Sequence, residues 1–391
     1  RWHPACVWIG VGCERNTSLS LVERAINQAL EQADLAIEAV AGIASADRKA
    51  DEAALLTLVR KHQWAFRTFC AEDLDQVVVP TPSQRVRDEM GTASVAEAAA
   101  LLATGQTGKL RQSKRIERAA GGEQGAATVA IAISEKAHAP QRGELHLIGS
   151  GPGDLSLLST DARQALTRCV AWVGYSLYLD LLEPLRRIDQ TRIEGQLTRE
   201  WDRCAEALAM AQQGAKVALI SSGDSGIYGM AGLALELWLQ QPQDARPAFE
   251  VHPGISALQL AAARVGAPLM HDFCTISLSD RLTPWPVIEQ RLTAAAEGDF
   301  VVALYNPRSK DRDWQLGRAR ELLLNKRSGT TPVALARQLG RADEKVSLTT
   351  LDALDPEGID MLTLVLVGNT STYVMNGRMA TPRGYPGSQD R

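Results

Sequence analysis

Apolar positions in the first third of the chain alternate between continuous runs and helical spacing. The run Val7-Trp8-Ile9-Gly10 is typical of a buried strand. The apolar stripe of a helix follows at three- and four-residue spacing: Leu19, Val22, Ile26 and Leu30. Ser20 and Glu23 fit a capping box at the start of that helix. The pattern then predicts a helix over 51–61, a strand over 64–69, a helix over 94–104 and a strand over 128–133. This order predicts a small α/β domain.

A more regular alternation of strands and helices occupies the rest of the chain. Strands are predicted over 144–148, 171–173, 216–220, 249–251, 274–278 and 300–304. Helices are predicted from Ser159 and over 200–213, 227–238, 257–265 and 286–296. Since strand and helix alternate, the second half predicts a mainly parallel sheet covered by helices.

A stretch rich in small and charged residues, 111–143, separates the two halves. It contains Gly121-Gly122, Gly125 and Pro140, which favour turns, and only the strand over 128–133 interrupts it. We assign that strand to the first half and place the boundary between Ser134 and Gly143. The expected domains are therefore 1–140 and 141–391.

Length and composition are those of an ordinary globular protein and exclude several function classes. The 391 residues are 45% hydrophobic and 23% charged, which rules out a disordered or coiled-coil chain and supports two domains. The 42 Lys and Arg against 46 Asp and Glu give a net charge of −4, without the basic footprint of a duplex-binding protein. Apolar runs such as 300–305 are far shorter than the roughly 18 residues of a membrane span. We expect a small-molecule partner, with no nucleic acid and no membrane.

Cysteine and histidine spacing predicts no metal site in the protein. The six cysteines include no Cys-x-x-Cys pair, and the six histidines show no His-x-x-x-His spacing, which are common arrangements of zinc ligands. Scattered single cysteines fit a reducing compartment, so we expect a cytoplasmic protein.

A glycine-rich loop, Gly149-Ser150-Gly151-Pro152-Gly153-Asp154, directly follows the first strand of the second half. The dinucleotide fingerprint requires Gly or Ala where Asp154 stands, and an acidic residue about 20 positions later. The next strand instead ends in Val173-Gly174-Tyr175, and the Asp154 carboxylate would repel a pyrophosphate. These departures disfavour NAD and FAD, and they leave either a plain turn or a site for a different ligand.

Loops of similar composition follow four further strands. They are rich in Gly, Ser, Asn and Asp, and they cover 221–229, 252–257, 305–309 and 368–370. Ligands of open α/β sheets bind beyond the carboxyl ends of the strands, where such loops bring backbone N–H and C=O groups close together. Together the loops predict a cleft for a small ligand.

Several longer motifs in the second half form a specific combination. They are Leu147-Ile148-Gly149-Ser150-Gly151-Pro152-Gly153, Ser222-Gly223-Asp224-Ser225-Gly226-Ile227-Tyr228, Pro253-Gly254-Ile255-Ser256-Ala257, Gly266-Ala267-Pro268-Leu269, His271-Asp272-Phe273 with Ile276-Ser277-Leu278-Ser279-Asp280, Leu304-Tyr305-Asn306-Pro307-Arg308-Ser309, and Thr381-Pro382-Arg383-Gly384-Tyr385. With them, residues 144 to about 385 resemble the tetrapyrrole methyltransferases of cobalamin biosynthesis, and within that family the precorrin-3B C17-methyltransferases. The resemblance implies two lobes, about 141–250 and 251–391, and a homodimer formed through this domain. It also implies C17 methylation and ring contraction of precorrin-3B to precorrin-4.

The resemblance further implies S-adenosylmethionine as the methyl donor and S-adenosylhomocysteine as a product. The residues that it places around the donor are Pro152, Gly223, Asp224, Ser225, Ile227, Ser256, Tyr305, Asn306, Ala334, Gly368 and Asn369. Ser225 stands where many relatives carry proline. The donor has a sulfonium cation and no phosphate, so backbone carbonyls and a carboxylate such as Asp224 suit it.

Ring contraction joins methylation to loss of a hydroxyl proton and migration of a carbon–carbon bond, so it requires a general base and an acid. His271, Asp272 and Asp280 are the candidates, because they lie in the segment most like the C17 enzymes. The alternative roles are a hydrogen bond from His271 to a loop carbonyl and a helix cap by Asp280. The carboxylate arms of the substrate require cations, for which Arg199 and Arg308 are the candidates.

The first half carries its own motifs, which are Gly10-Val11-Gly12-Cys13-Glu14-Arg15, Ser45-Ala46-Asp47-Arg48-Lys49-Ala50-Asp51-Glu52, Pro82-Ser83, Gly91 and Ser94-Val95-Ala96-Glu97-Ala98. Residues 5 to about 134 thereby resemble the C-terminal domain of cobalt-precorrin-5A hydrolase. Lys49, Asp51 and Glu52 form either a tunable acid/base group or the acidic start of a helix.

Three alternatives stay open. The substrate could already carry cobalt, as cobalt-precorrin-3 of the anaerobic route. The methyl group could go to another ring carbon. The first domain could have hydrolase activity of its own, or only bind and hand over an unstable intermediate.

Overall fold

The computed structural model describes residues 2–105, 108–196, 199–309 and 312–385. They form two compact units. The first runs to Glu144 and includes Ala209–Lys216 and Pro242–Ala248. The second comprises Leu145–Leu208, Val217–Gln241 and the chain from Phe249 onwards. No helix in these ranges is long and apolar enough to cross a membrane.

The first unit is built on a five-stranded sheet of order β3-β2-β1-β5-β4. Its strands are β1 (Val7–Cys13), β2 (Val40–Ala46), β3 (Ala65–Phe69), β4 (Lys109–Arg118) and β5 (Ala126–Ile133). Its helices are α1 (Leu19–Ala33), α2 (Ala53–His62), α3 (Ala71–Asp75), α4 (Gln84–Met90) and α5 (Val95–Thr104). Strands β1, β2 and β3 are parallel, whereas β5 runs antiparallel to β1 and β4. The predicted small α/β domain is confirmed.

Two details of the first half differ from the prediction. Helix α1 has Ser18 at its N-cap position, so the capping box at Ser20 and Glu23 is wrong, and Glu23 pairs with Lys61 instead. The stretch after Arg111 is not weakly structured, because β4 forms a hairpin with β5. Strand β4 alternates between exposed and half-buried positions and is largely polar, which hid it from a search for apolar runs.

The first part of the second unit contains a sheet of order β10-β6-β9-β7-β8. Its strands are β6 (Glu144–Gly149), β7 (Ala171–Tyr175), β8 (Thr191–Gly195), β9 (Lys216–Ser221) and β10 (Ala248–His252). The helices are α6 (Thr160–Arg168), α7 (Ser176–Leu182), α8 (Glu200–Gln212) and α9 (Ala231–Leu239). Strand β7 is parallel to both neighbours, as the alternation predicts. Helix α9 begins four residues later than the predicted start at 227, which leaves 222–230 free to form a loop.

The last part of the chain forms a separate five-stranded sheet of order β12-β13-β16-β14-β15 and a small sheet of order β11-β18-β17. The strands are β11 (Gly266–Ala267), β12 (Phe273–Ser277), β13 (Val301–Tyr305), β14 (Pro332–Arg337), β15 (Lys345–Thr350), β16 (Thr363–Val367), β17 (Tyr373–Met375) and β18 (Arg378–Ala380). The helices are α10 (Ala257–Val265), α11 (Trp285–Glu297) and α12 (Gln315–Leu324). In the larger sheet only β12 and β13 are parallel, and the pairs among β13, β14, β15 and β16 are antiparallel. The prediction of one mainly parallel sheet is therefore wrong for this part.

Strand β13 shows why the larger sheet is apolar on both faces. Val302 and Leu304 pack with residues of α11 and α12, whereas Val301 and Ala303 pack with residues of α10. Because neighbouring residues of a strand point to opposite faces, the strand has to be apolar throughout. This packing fixes the position of Tyr305 and Asn306, which come at its carboxyl end.

Candidate functional site

Four glycines bring the loops after β6, β9 and β10 into backbone contact. A Cβ on Gly149 would lie 2.6 Å from the nitrogen of Gly254 and 2.9 Å from the carbonyl oxygen of Gly223, so a side chain has no room there. Gly151 and Gly223 exchange two backbone hydrogen bonds of 3.0 and 2.8 Å, and both have positive φ, at 72° and 65°. Glycine adopts this conformation without steric cost, which explains the composition of both loops.

The Asp224 carboxylate ties these loops together. Its Oδ1 accepts a 2.8 Å hydrogen bond from the backbone N–H of Gly226 in its own loop. Its Oδ2 accepts a 3.0 Å hydrogen bond from the N–H of Gly254, in the loop after β10. One side chain therefore holds the relative position of two loops while staying partly exposed.

A cavity of about 210 Å³ lies beside these loops. Seven of the residues that the resemblance assigns to the donor line it, namely Pro152, Gly223, Asp224, Ile227, Ser256, Tyr305 and Asn306. They come from loops after β6, β9, β10 and β13, which are distant in sequence. The structure therefore brings most of the predicted donor residues to one place.

The other four predicted donor residues are absent from the described lining of this cavity. Ser225 is fully buried next to Asp224, and its hydroxyl has no hydrogen-bond partner among the described residues. Ala334 lies on β14, two residues before the lining residue Ala336. The Gly368 carbonyl accepts a hydrogen bond from Arg327, and the Asn369 side chain accepts bonds from Ser371 and Thr372.

Three residues of the cavity lining have a strained backbone conformation, which the sequence did not predict. Tyr228, Asn306 and Gln338 all line the cavity and have positive φ, at 53°, 52° and 49°. Such conformations are costly for residues other than glycine and cluster at binding sites. The Tyr228 and Tyr305 rings lie 5.1 Å apart, tilted by 55°, and form an aromatic wall.

Tyr305 of this wall is partly buried and accepts a hydrogen bond from the backbone. The pKa of Tyr305 is raised mainly because the side chain is desolvated, and its hydroxyl oxygen accepts a 3.1 Å hydrogen bond from the N–H of Leu258. Burial likewise raises the pKa of Tyr178, another lining residue. These groups can hold a ligand by hydrogen bonds and ring contacts, and at neutral pH they carry no charge.

The predicted acid/base residues lie at two ends of β12. His271 and Asp272 precede the strand, are exposed, and do not belong to the described lining of the cavity. His271 Nδ1 accepts a hydrogen bond from the N–H of Asp272 rather than contacting a loop carbonyl. Asp280 follows the carboxyl end of β12 and accepts a 3.0 Å hydrogen bond from Gln315. Since β12 spans about 13 Å, the strand separates His271 from Asp280, and only Asp280 lies at the end where Tyr305 ends the parallel strand β13. Asp280 is also absent from the described lining of the cavity.

The predicted substrate-binding arginines are engaged elsewhere. Arg199 is exposed and forms a 2.5 Å ion pair with Asp202, and Arg308 donates a 2.8 Å hydrogen bond to the carbonyl of Pro356. Neither belongs to the described lining of the cavity. The lining contains Arg341 instead, whose guanidinium forms no ion pair with any described residue. The sequence did contain one indication of this role, because Arg341 lies in the loop directly after β14 and ligands are expected to contact the loops at strand ends.

The first unit contains a separate cavity of about 700 Å³, whose lining includes Cys13, Arg15 and Lys49. Lys49 is buried and lies 3.7 Å from the buried Glu52, whereas Asp51 is exposed and pairs with Arg15 at 2.6 Å. Burial raises the pKa of the Cys13 thiol to about 11, so this thiol is not an activated nucleophile at neutral pH. Arg15, Lys49, Asp51 and Glu52 thus form an ion-pair network beside this cavity.

Comparison with known families assigns both halves of the chain. A model of the tetrapyrrole (corrin/porphyrin) methylases matches residues 144–355. A model described as the C-terminus of cobalamin synthesis G matches residues 7–132. The two matches leave 133–143 between them.

Individual relatives match the second half over almost their full length. A probable cobalt-factor III C(17)-methyltransferase of Salmonella typhimurium is 50% identical over 241 residues, which cover 62% of this chain and 99% of the relative. A precorrin-3B C(17)-methyltransferase of Sinorhizobium is 40% identical over 252 residues, which cover 63% of this chain and 98% of the relative. The crystal structure of the methyltransferase CobJ has a TM-score of 0.59 at 38% identity and covers 61% of this chain and 100% of its own.

Proposed function

Because the chain belongs to the family of tetrapyrrole (corrin/porphyrin) methylases, we propose that it methylates C17 of precorrin-3B with S-adenosylmethionine and contracts the ring to precorrin-4. The observation that carries this proposal is the shared cavity. Seven donor residues inferred from sequence motifs line one small space, although they come from four separate loops. Relatives named as C17-methyltransferases match the same half of the chain.

The residues of the cavity fit this donor. A sulfonium cation is favoured next to aromatic rings and a carboxylate, which Tyr228, Tyr305 and Asp224 supply. No lysine occurs in the described lining, as expected for a donor without phosphate.

S-adenosylmethionine supplies the methyl group, and the protein has to align the reacting atoms. The glycine contacts and the Asp224 hydrogen bonds fix the loops before any ligand arrives. The partly buried Tyr305 ring reduces the access of water to one side of the cavity. We retain Asp280 as the acid/base candidate because it follows β12 at the end of the sheet where Tyr305 and Asn306 line the cavity.

A second candidate substrate is favoured by sequence identity. The relative at 50% identity is named for cobalt-factor III, whereas the relative at 40% is named for precorrin-3B. We expect the purified chain, given methyl-labelled donor, to label C17 of one of these two substrates and to release a ring-contracted product. NMR of the product identifies the ring carbon that carries the label. Label at another ring carbon, or no transfer to either substrate, would contradict the proposal.

We expect Arg341 to pair with a carboxylate arm of the tetrapyrrole, because it is the unpaired cation in the described lining. Arg341→Ala should raise KM for the tetrapyrrole roughly 10- to 100-fold, since a charge-assisted hydrogen bond contributes about 1.5–3 kcal/mol. Donor affinity, measured by calorimetry without tetrapyrrole, should stay unchanged. Arg318→Ala, which removes a surface ion pair with Glu289, is the matched control. A weaker donor affinity with normal KM would assign Arg341 to the donor's own carboxylate.

We propose 1–140 and 141–391 as the two domains, in line with the family matches to 7–132 and 144–355. The first domain would bind a corrin intermediate in its own cavity. Incubation with cobalt-precorrin-5A tests whether this domain also hydrolyses such an intermediate.

We further propose a homodimer through the methyltransferase domain, which analytical ultracentrifugation tests. We also propose a cytoplasmic location, where the six free cysteines would stay reduced.

A further inference from the structure

Two histidines and a glutamate converge on one point between the neighbouring strands β6 and β10. His146 Nδ1 lies 3.0 Å from His252 Nε2, and the Glu250 Oε2 lies 3.5 and 3.6 Å from these two nitrogens. Glu250 and His252 are two residues apart on β10, so they lie on the same face of the strand. The three atoms form a nearly equilateral triangle, and none of the three residues has a role in the proposed methyl transfer.

The size of this triangle matches a metal centre. Zinc binds imidazole nitrogen and carboxylate oxygen at about 2.0–2.2 Å in tetrahedral geometry, which places neighbouring ligand atoms about 3.3 Å apart. The observed separations of 3.0, 3.5 and 3.6 Å lie on both sides of that value. Two imidazoles and one carboxylate are also a usual ligand set for zinc with an open fourth position.

A carboxylate behind one histidine fixes its orientation. Asp161 Oδ2 lies 2.6 Å from His252 Nδ1 and accepts a hydrogen bond from its N–H, so Nε2 is the unprotonated nitrogen and has a lone pair on the side of His146 Nδ1. Metal-binding histidines typically donate their other N–H to a carboxylate in this way. His146 and His252 are buried, whereas the Glu250 side chain is 54% exposed, which gives an ion and a water molecule access from one side.

We propose that His146, Glu250 and His252 bind a divalent transition metal ion of the zinc class, with Asp161 as the positioning residue. Sequence spacing predicted no metal site because the ligands come from two strands that are 106 residues apart. The ion would also fix the end of β10, from which the chain continues through Pro253 to Gly254 of the donor loop. Without an ion, the two imidazoles share one hydrogen bond, and Glu250 has a 4.0 Å ion pair with Arg168.

Zinc binding to the full-length protein tests the proposal. After removal of metal with a chelator, equilibrium dialysis against Zn²⁺ followed by elemental analysis should give one ion per chain. Glu250→Gln and His252→Gln should each abolish that stoichiometric binding. Asp161→Asn should weaken it about 10- to 100-fold, the effect usual for such a second carboxylate. Co²⁺ in place of zinc should give the visible absorption of a tetrahedral site that lacks thiolate ligands.

His62→Gln is the matched control, since His62 stacks on Trp64 outside this cluster and should leave zinc binding unchanged. Glu250 is exposed, so Glu250→Gln should not disturb folding, which circular dichroism verifies. The proposal is overturned if the wild-type chain binds no zinc. It is equally overturned if Glu250→Gln and His252→Gln bind zinc with wild-type stoichiometry and affinity.

Discussion

Asp224→Ala is expected to weaken the binding of S-adenosylmethionine by about 10- to 100-fold. The variant loses the two hydrogen bonds, of 2.8 and 3.0 Å, that join the loops after β9 and β10, and it removes the carboxylate from the cavity lining. Hydrogen bonds to a charged group contribute about 1.5–3 kcal/mol, and each 1.4 kcal/mol changes affinity tenfold. Calorimetric titration of the variant with the donor measures the loss directly.

Asp224→Asn separates the two roles of this side chain. The amide keeps one oxygen that can accept a hydrogen bond from Gly254, but it has no negative charge. An Asn variant as weak as the Ala variant would assign the effect to the charge next to the sulfonium, and an Asn variant near wild type would assign it to loop position. Asp244→Ala, on an exposed turn, is the control for loss of an aspartate elsewhere. If Asp224→Ala bound S-adenosylmethionine with wild-type affinity, the donor would not bind in this cavity.

Gly254→Ala is expected to destabilise the second unit by about 3 kcal/mol and to disrupt donor binding at the same time. The new Cβ would overlap the carbonyl oxygen of Gly223 and lie 2.5 Å from that of Gly149. Both neighbours are backbone atoms that side-chain rotation cannot move, so the loops themselves have to separate. This places the cost at the upper end of overpacking effects, and about 3 kcal/mol lowers the Tm of a domain of this size by roughly 6–12 °C.

Gly232→Ala is the matched control for this substitution. Gly232 lies inside α9 with open space around its Cα, so alanine meets no atom there and should stabilise the helix by about 0.5–1 kcal/mol. Thermal unfolding of the two variants should therefore shift Tm in opposite directions. Equal Tm values for Gly254→Ala and wild type would mean that the three loops do not meet as described.

The resemblance to a known family led to Pro152, Asp224, Ser256 and Asn306, and the structure brings these four residues to one cavity. The direction of the later strands is harder to predict from the sequence. The sequence predicts a parallel arrangement for the sheet of β12 to β16 because its early strands alternate with helices. Its later strands β14, β15 and β16 follow one another without long helices and pair antiparallel, which apolar periodicity does not distinguish from a parallel arrangement.

The predicted acid/base and substrate-binding residues show the limits of motif reasoning. His271 lies close in sequence to Asp280, yet β12 lies between them and carries them to opposite ends. Arg308 belongs to one of the motifs, but its guanidinium donates a hydrogen bond to the Pro356 carbonyl. Arg341 belongs to none of the motifs, yet it lines the cavity. Sequence proximity does not state the direction of a side chain, and that direction decides which cation faces a ligand.

A crystal structure of the full chain with S-adenosylhomocysteine would show directly whether the donor binds in this cavity. We predict the ligand in the cavity lined by Pro152, Asp224, Ser256, Tyr305 and Asn306, with Asp224 still accepting the hydrogen bond from Gly254. Ligand density bounded by other residues, with this cavity empty, would contradict it.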